Sequence, residues 1–114
     1  MISSAIIVLT ITAVGGLLLA AKVLNGKQAP WFLSIVHALL GATGLILLAI
    51  TANNSDWPGQ LSASLALLVV AALGGFYLAS HHLRGSVSPK GIVLIHAGVA
   101  VTGFLLLLTV YFQI

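Results

Sequence analysis

GGLLLAAKVLNGKQAPWFLSIVHALLGATGLILL, residues 15–48, and GGFYLASHHLRGSVSPKGIVLIHAGVAVTGFLLL, residues 74–107, decide how this chain is built. Laid on one another without a gap, at an offset of 59 positions, they agree at thirteen of 34 places. Shared leucine and alanine follow from apolar bias alone. The coincidences at Gly15/Gly74, Gly16/Gly75, Gly26/Gly85, Pro30/Pro89, His37/His96, Thr43/Thr102 and Gly44/Gly103 do not. Self-similarity in register at these residue types marks an internal repeat. Each copy holds two long apolar runs separated by a short Gly- and Pro-containing break, which reads as a helical hairpin.

Around the repeat, the composition fixes the medium. The chain has 114 residues, of which 61% are hydrophobic and 4% charged, with mean hydropathy +1.24. A water-soluble domain carries about 25% charged residues. Four Lys or Arg and a single Asp or Glu cannot coat a globule of this size. Soluble, disordered and coiled-coil readings are excluded. The pI near 9.8 rests on five charges in all and is no sign of nucleic-acid binding. The absence of cysteine removes disulfides, thiolate metal sites and Cys nucleophiles.

The charges also divide the chain into spans. The first 21 residues are uncharged, as are the 28 between Lys27 and Asp56, the 27 between Asp56 and Arg84, and the 24 after Lys90. Each accommodates one helix of about 20 residues across a hydrocarbon core of about 30 Å. Helices are expected near 2–24, 31–52, 60–82 and 91–113. The apolar runs are continuous, unlike the alternating segments of membrane barrels. Met1-Ile2-Ser3-Ser4 lacks a positive leader, and the run after it exceeds a signal-peptide core, so the first segment is counted as a span. The expected fold is an all-α integral-membrane four-helix bundle, a single domain of two tandem hairpins, about 2–52 and about 60–113. Two hairpins cross the bilayer in the same sense, so the copies are expected to be related by a pseudo-twofold axis along the membrane normal.

Lys22 and Lys27 flank the first connection, Arg84 and Lys90 the third, and the middle one, Asn53 to Gly59, carries no cation. The excess of positive charge puts the loops at 25–30 and 83–90 in the cytoplasm and both termini outside, in a bacterial-type inner membrane. Trp31 and Trp57 fall at opposite interfaces on this reading, and Tyr111 near the outer one. Asn25-Gly26 and Arg84-Gly85 are helix-ending signals, and Pro30 and Pro89 begin the next helix.

Chemistry in such a chain rests on its four histidines. His37 shares a helical face with Ser34, Gly41, Gly44 and Leu48, and His96 with Val93, Ala100, Gly103 and Leu107. Small-residue stripes mark close helix packing, and ionisable residues in a membrane face the protein interior. Both imidazoles are therefore expected to point inward at one depth, six residues or about 9 Å inside the ends at Trp31 and Lys90. His81 and His82 close the third helix, where the first hairpin has Lys22 and Val23.

Four readings fit the inward pair. The imidazoles are neutral and bonded to hydroxyls such as Thr43 or Thr102; or they relay protons, although the one carboxylate lies in a loop. They hold a metal ion together with His81 or His82; or they are the two axial ligands of a b-type haem. On the haem reading Gly41, Gly44, Ala100 and Gly103 give the porphyrin clearance. Lys22 and Arg84, with Lys27 and Lys90, face its propionates. His81 and His82 are either solvated helix ends or ligands to a further haem or metal, with His82 nearer the glycine-marked face. Gly15-Gly16 and Gly74-Gly75 allow close backbone approach, to a neighbouring helix or to a cofactor.

Inward histidines on the second and fourth helices of a four-span bundle, with Gly41, Gly44 and Gly103 behind them, resemble the cytochrome b and cytochrome b561 type membrane bundles. The resemblance implies bis-histidine ligation of haem b by His37 and His96. It also implies one-electron transfer with a quinol, a quinone pool or a cytoplasmic partner. Those families commonly stack two haems, whereas this chain has no histidine in the outer halves of its helices. A small carrier of haem, metal ion or another small substrate is the alternative. The chain also looks like the small four-span multidrug exporters in size, but those depend on an intramembrane glutamate and this sequence has no Glu. Exposed apolar surface and glycine stripes make a homodimer the expected assembly. No serine-based triad, phosphate loop or carboxylate pair supports hydrolytic or phosphoryl chemistry.

Overall fold

The computed structural model describes residues 2–54 and 59–112, which form four α-helices: α1 (Ile2–Leu24), α2 (Trp31–Asn53), α3 (Gly59–Leu83) and α4 (Lys90–Phe112). All four are long and apolar enough to cross a bilayer, so the chain is a multi-pass membrane protein. In hydrocarbon each backbone N–H and C=O must find a partner within the protein, which a continuous helix provides. The bounds of α1 are those read off the sequence; α2 ends one residue later, and α3 and α4 differ by one residue at both ends. Trp57, expected at an interface, and Asp56 lie outside the described residues.

The repeat is visible in the turns. Gly26 (φ +76°) and Gly85 (φ +74°) adopt left-handed backbone conformations that a side chain would strain. The Gly26 N–H donates to the Val23 carbonyl and that of Lys27 to Lys22. Gly85 and Ser86 donate in the same way to His82 and His81, all at 2.9–3.0 Å. These paired bonds satisfy the last carbonyls of α1 and α3. Pro30, extended at φ −63° and ψ 133°, precedes the first residue of α2. Its carbonyl accepts the Ser34 N–H, as that of Pro89 accepts the Val93 N–H.

Each hairpin packs most broadly within itself, α1 on α2 and α3 on α4, and the hairpins meet along narrower seams, α1–α4 and α2–α3. This leaves α2 and α4 diagonally opposed. Gly44 is buried where a Cβ would come within 2.6 Å of Leu9 Cδ2, and at Gly103 one would come within 3.1 Å of Leu67 Cβ. At these two glycines leucine side chains of the paired helix take the space a Cβ would need. The Ser64 hydroxyl, fully buried, donates to the Gly103 carbonyl at 2.7 Å. Leu9, Leu48, Leu61, Leu68 and Leu107 form the core with Ala5. All lie in the half of the bundle away from Lys22, Trp31, Leu83 and Lys90. Ser3 Oγ and Tyr111 Oη, 3.1 Å apart, tie α1 to α4 at that far end.

The half nearer the basic residues holds none of these leucines, and the cavity runs into it from the level of Leu9 and Leu68. Replacing Gly44 with valine should destabilise the first hairpin by about 1–3 kcal/mol through overpacking. Gly98→Ala, where nothing lies within 4 Å, should change stability by less than about 0.5 kcal/mol. Unfolding midpoints in a denaturing detergent titration would show the difference.

Candidate functional site

His37 and His96 both face inward and line one cavity of about 660 Å³ to which all four helices contribute, within the usual range for small-molecule sites. Each ring is fixed by the same device. His37 Nδ1–H donates to the main-chain carbonyl of Thr12 at 2.9 Å, and His96 Nδ1–H donates to that of Ala71 at 2.7 Å. The carbonyls, like the histidines, stand 59 positions apart. In an α-helix each carbonyl already accepts the N–H four residues on, but its second lone pair is free.

Access to that lone pair is normally blocked by side chains of the following turn. Here the residue four positions on is Gly16 in α1 and Gly75 in α3. A Cβ on Gly16 would come within 2.9 Å of His37 Cε1, and one on Gly75 within 3.2 Å of His96 Cε1. The glycines thus seat the imidazoles against the helix backbone. With a carbonyl as partner Nδ1 must carry a proton, so in a neutral ring Nε2 keeps its lone pair. Metal-ligating histidines are commonly oriented in this way, by a carbonyl on the other nitrogen.

The two ring centres are 6.4 Å apart with their planes at 83°. Two metal–imidazole bonds of about 2 Å, with each ring centre about 1 Å further out, place axial ring centres roughly 6 Å apart. Edge-to-face aromatic pairs span the same range. The cavity around the pair is lined mainly by apolar side chains.

No protein-family model matches this chain, and no curated protein or solved structure is significantly similar to it. Its site must be read from its own atoms.

Apart from His81 and His82, the remaining sequence candidates fall into four groups. Gly41 and Ala100 line the cavity with the histidines, as the clearance reading requires. Gly44 and Gly103 do not; they pack against α1 and α3 inside their own hairpins. Lys22 and Arg84 are exposed at the basic end and outside the cavity lining. Arg84 Nη2 lies 3.4 Å from His81 Nδ1. Thr43 and Thr102, the expected hydroxyl partners of the histidines, donate instead to the carbonyls of Leu39 and Gly98 in their own helices. A hydroxyl one turn from a carbonyl of its own helix satisfies itself locally.

The two adjacent histidines diverge, as residues about 100° apart on a helix must. His82 turns into the cavity, stacked on Trp31 with ring centres 3.7 Å apart and planes at 18°, and its Nδ1 is 3.3 Å from Ser34 Oγ. His81 turns to Tyr77, with ring centres 5.1 Å apart, and is not part of the lining. Among the described residues no three His, Cys, Asp or Glu side chains gather as a metal-ion site, so the three-histidine arrangement is not formed. The carbonyl partners escaped sequence reading, although a glycine four residues after each was their signal. Trp31, read as an interface anchor, gave no sign of its stacking partner.

Gly16→Ala should displace the His37 ring and break its bond to the Thr12 carbonyl. Leaving that buried N–H unpaired costs about 1–3 kcal/mol. Nitrogen-15 spectra of the imidazoles should show Nδ1–H on both rings in the unaltered protein and a change confined to His37 in the variant. An unchanged His37 pattern would refute the role given to the glycine.

Proposed function

We propose that this protein is a small membrane b-type cytochrome in which His37 and His96 hold one haem b. The observation that carries this reading is the pair of imidazoles from diagonal helices. They sit in one apolar cavity 6.4 Å apart, each with Nδ1 bonded to a main-chain carbonyl. That arrangement leaves the Nε2 lone pair of each neutral ring available for ligation. The bound haem supplies one-electron exchange at its iron. His37 and His96 fix its position, Gly41 and Ala100 give clearance beside the rings, and the apolar lining excludes water. Gln28, Ser86 and Ser88 border the cavity toward the basic end, where Lys22, Lys27, Arg84 and Lys90 offer positive charge to propionates.

By the bias of Lys and Arg this end faces the cytoplasm, with the termini on the opposite side of an inner membrane. Electron exchange is then with a quinol of the lipid phase or with a cytoplasmic partner. Both histidines lie in the half of the bundle nearer the basic end, so one chain does not carry electrons across the bilayer unaided.

Protein purified from haem-replete cells should show a Soret band and, on dithionite reduction, the sharp visible bands of low-spin iron. His37→Ala and His96→Ala should each abolish the low-spin signal. Colourless protein would end the cytochrome reading in favour of a carrier. Unaltered spectra in both variants would remove these two residues from the ligand set.

A further inference from the structure

Corresponding residues of the two repeats line most of the cavity, as in Leu9/Leu68, Gly16/Gly75 and His37/His96. The correspondence fails toward the basic end of the α2–α3 seam. There α3 has His82 where α1 has Val23, and α2 has Trp31 and Ser34 where α4 has Lys90 and Val93. His82 is 7% exposed, and its Nε2 makes no hydrogen bond among the described residues. Trp31, stacked over it, is 49% exposed. Ser34, beside His82, precedes His37 by one helical turn, about 4.5 Å along α2.

Both axial positions of the proposed haem are taken by His37 and His96, so His82 has no place as a third resident ligand. It does stand where a flat molecule coming from the basic end would pass before it reached His37. The neighbouring indole offers an aromatic face on which a macrocycle stacks. The opposite seam presents Val23 and Val93, which offer neither ligand nor aromatic face. We propose that His82 and Trp31 form a loading site, through which haem enters along the α2–α3 seam and is passed to His37. The proposal rests on the cytochrome reading. The transfer is a ligand exchange: His37 Nε2 takes the iron as His82 Nε2 gives it up, and no electron changes hands.

The test is stopped-flow uptake of hemin by the detergent-solubilised haem-free protein, followed in the Soret region. His82→Phe keeps a ring against Trp31 and removes the nitrogen. It should slow uptake by about tenfold or more, the factor produced by about 1.4 kcal/mol of lost encounter stability. The final low-spin spectrum should be unchanged. Trp31→Ala should slow uptake as well, and provides the second variant should His82→Phe fold poorly. Val23→Ala, at the matching place in the other hairpin, should load at the unaltered rate. Wild-type rates in both the His82 and Trp31 variants would overturn the loading site alone. Loss of the low-spin spectrum in His82→Phe would overturn it by making His82 a resident ligand. Failure of the unaltered protein to take up hemin would overturn this proposal and the cytochrome reading together.

Discussion

An imidazole placed among hydrocarbon side chains needs a partner for its N–H, because no water is at hand and an unmet donor there is costly. In this bundle the partner is a helix carbonyl, laid open by a glycine four residues further on. The bond from His37 to Thr12 and the bond from His96 to Ala71 fix which nitrogen is protonated and how each ring is turned. They also bind the helices of each hairpin to one another at the level of the cavity. Stripped of Gly16 or Gly75, the rings would have to retreat into the space that separates them.

The bundle spends its two halves differently. Away from the basic end, leucines pack against Gly44 and Gly103, where a Cβ would crowd Leu9 in the first hairpin and Leu67 and Leu68 in the second. Toward the basic end, small residues and the two imidazoles leave an open volume. The packed half holds the four helices together, and across the cavity the two histidine rings meet edge to face, 6.4 Å between centres. Within membranes, where apolar burial gives helices little reason to associate, close packing of this kind is a principal source of cohesion.

Duplication accounts for the twofold character of the site, since each hairpin brings one histidine bonded in the same way to a main-chain carbonyl. Departures from the duplication are then informative. Ser64 is fully buried in the second hairpin where the first has a fully buried Ala5, and its hydroxyl supplies a bond between α3 and α4. His82, Trp31 and Ser34 make one mouth of the cavity polar and aromatic, while the other stays aliphatic. On the proposed reading, the symmetry would serve the holding of a ligand, and its loss at one seam would mark the way in.

The amino-acid order alone determined the four spans, their ends at Gly26, Pro30, Gly85 and Pro89, and the inward facing of His37 and His96. These follow from local rules: charge-free length, conformational freedom of glycine, and helical periodicity. Assigning Gly44 and Gly103 to porphyrin clearance went too far, because a face is not a contact and both turned out to meet a neighbouring helix. The carbonyl partners of the imidazoles, the 6.4 Å between them and the stacking of Trp31 on His82 were decided only by the tertiary structure. Each depends on how far one helix is slid and rotated against another, which is set by the summed fit of many side chains and by no single residue's spacing.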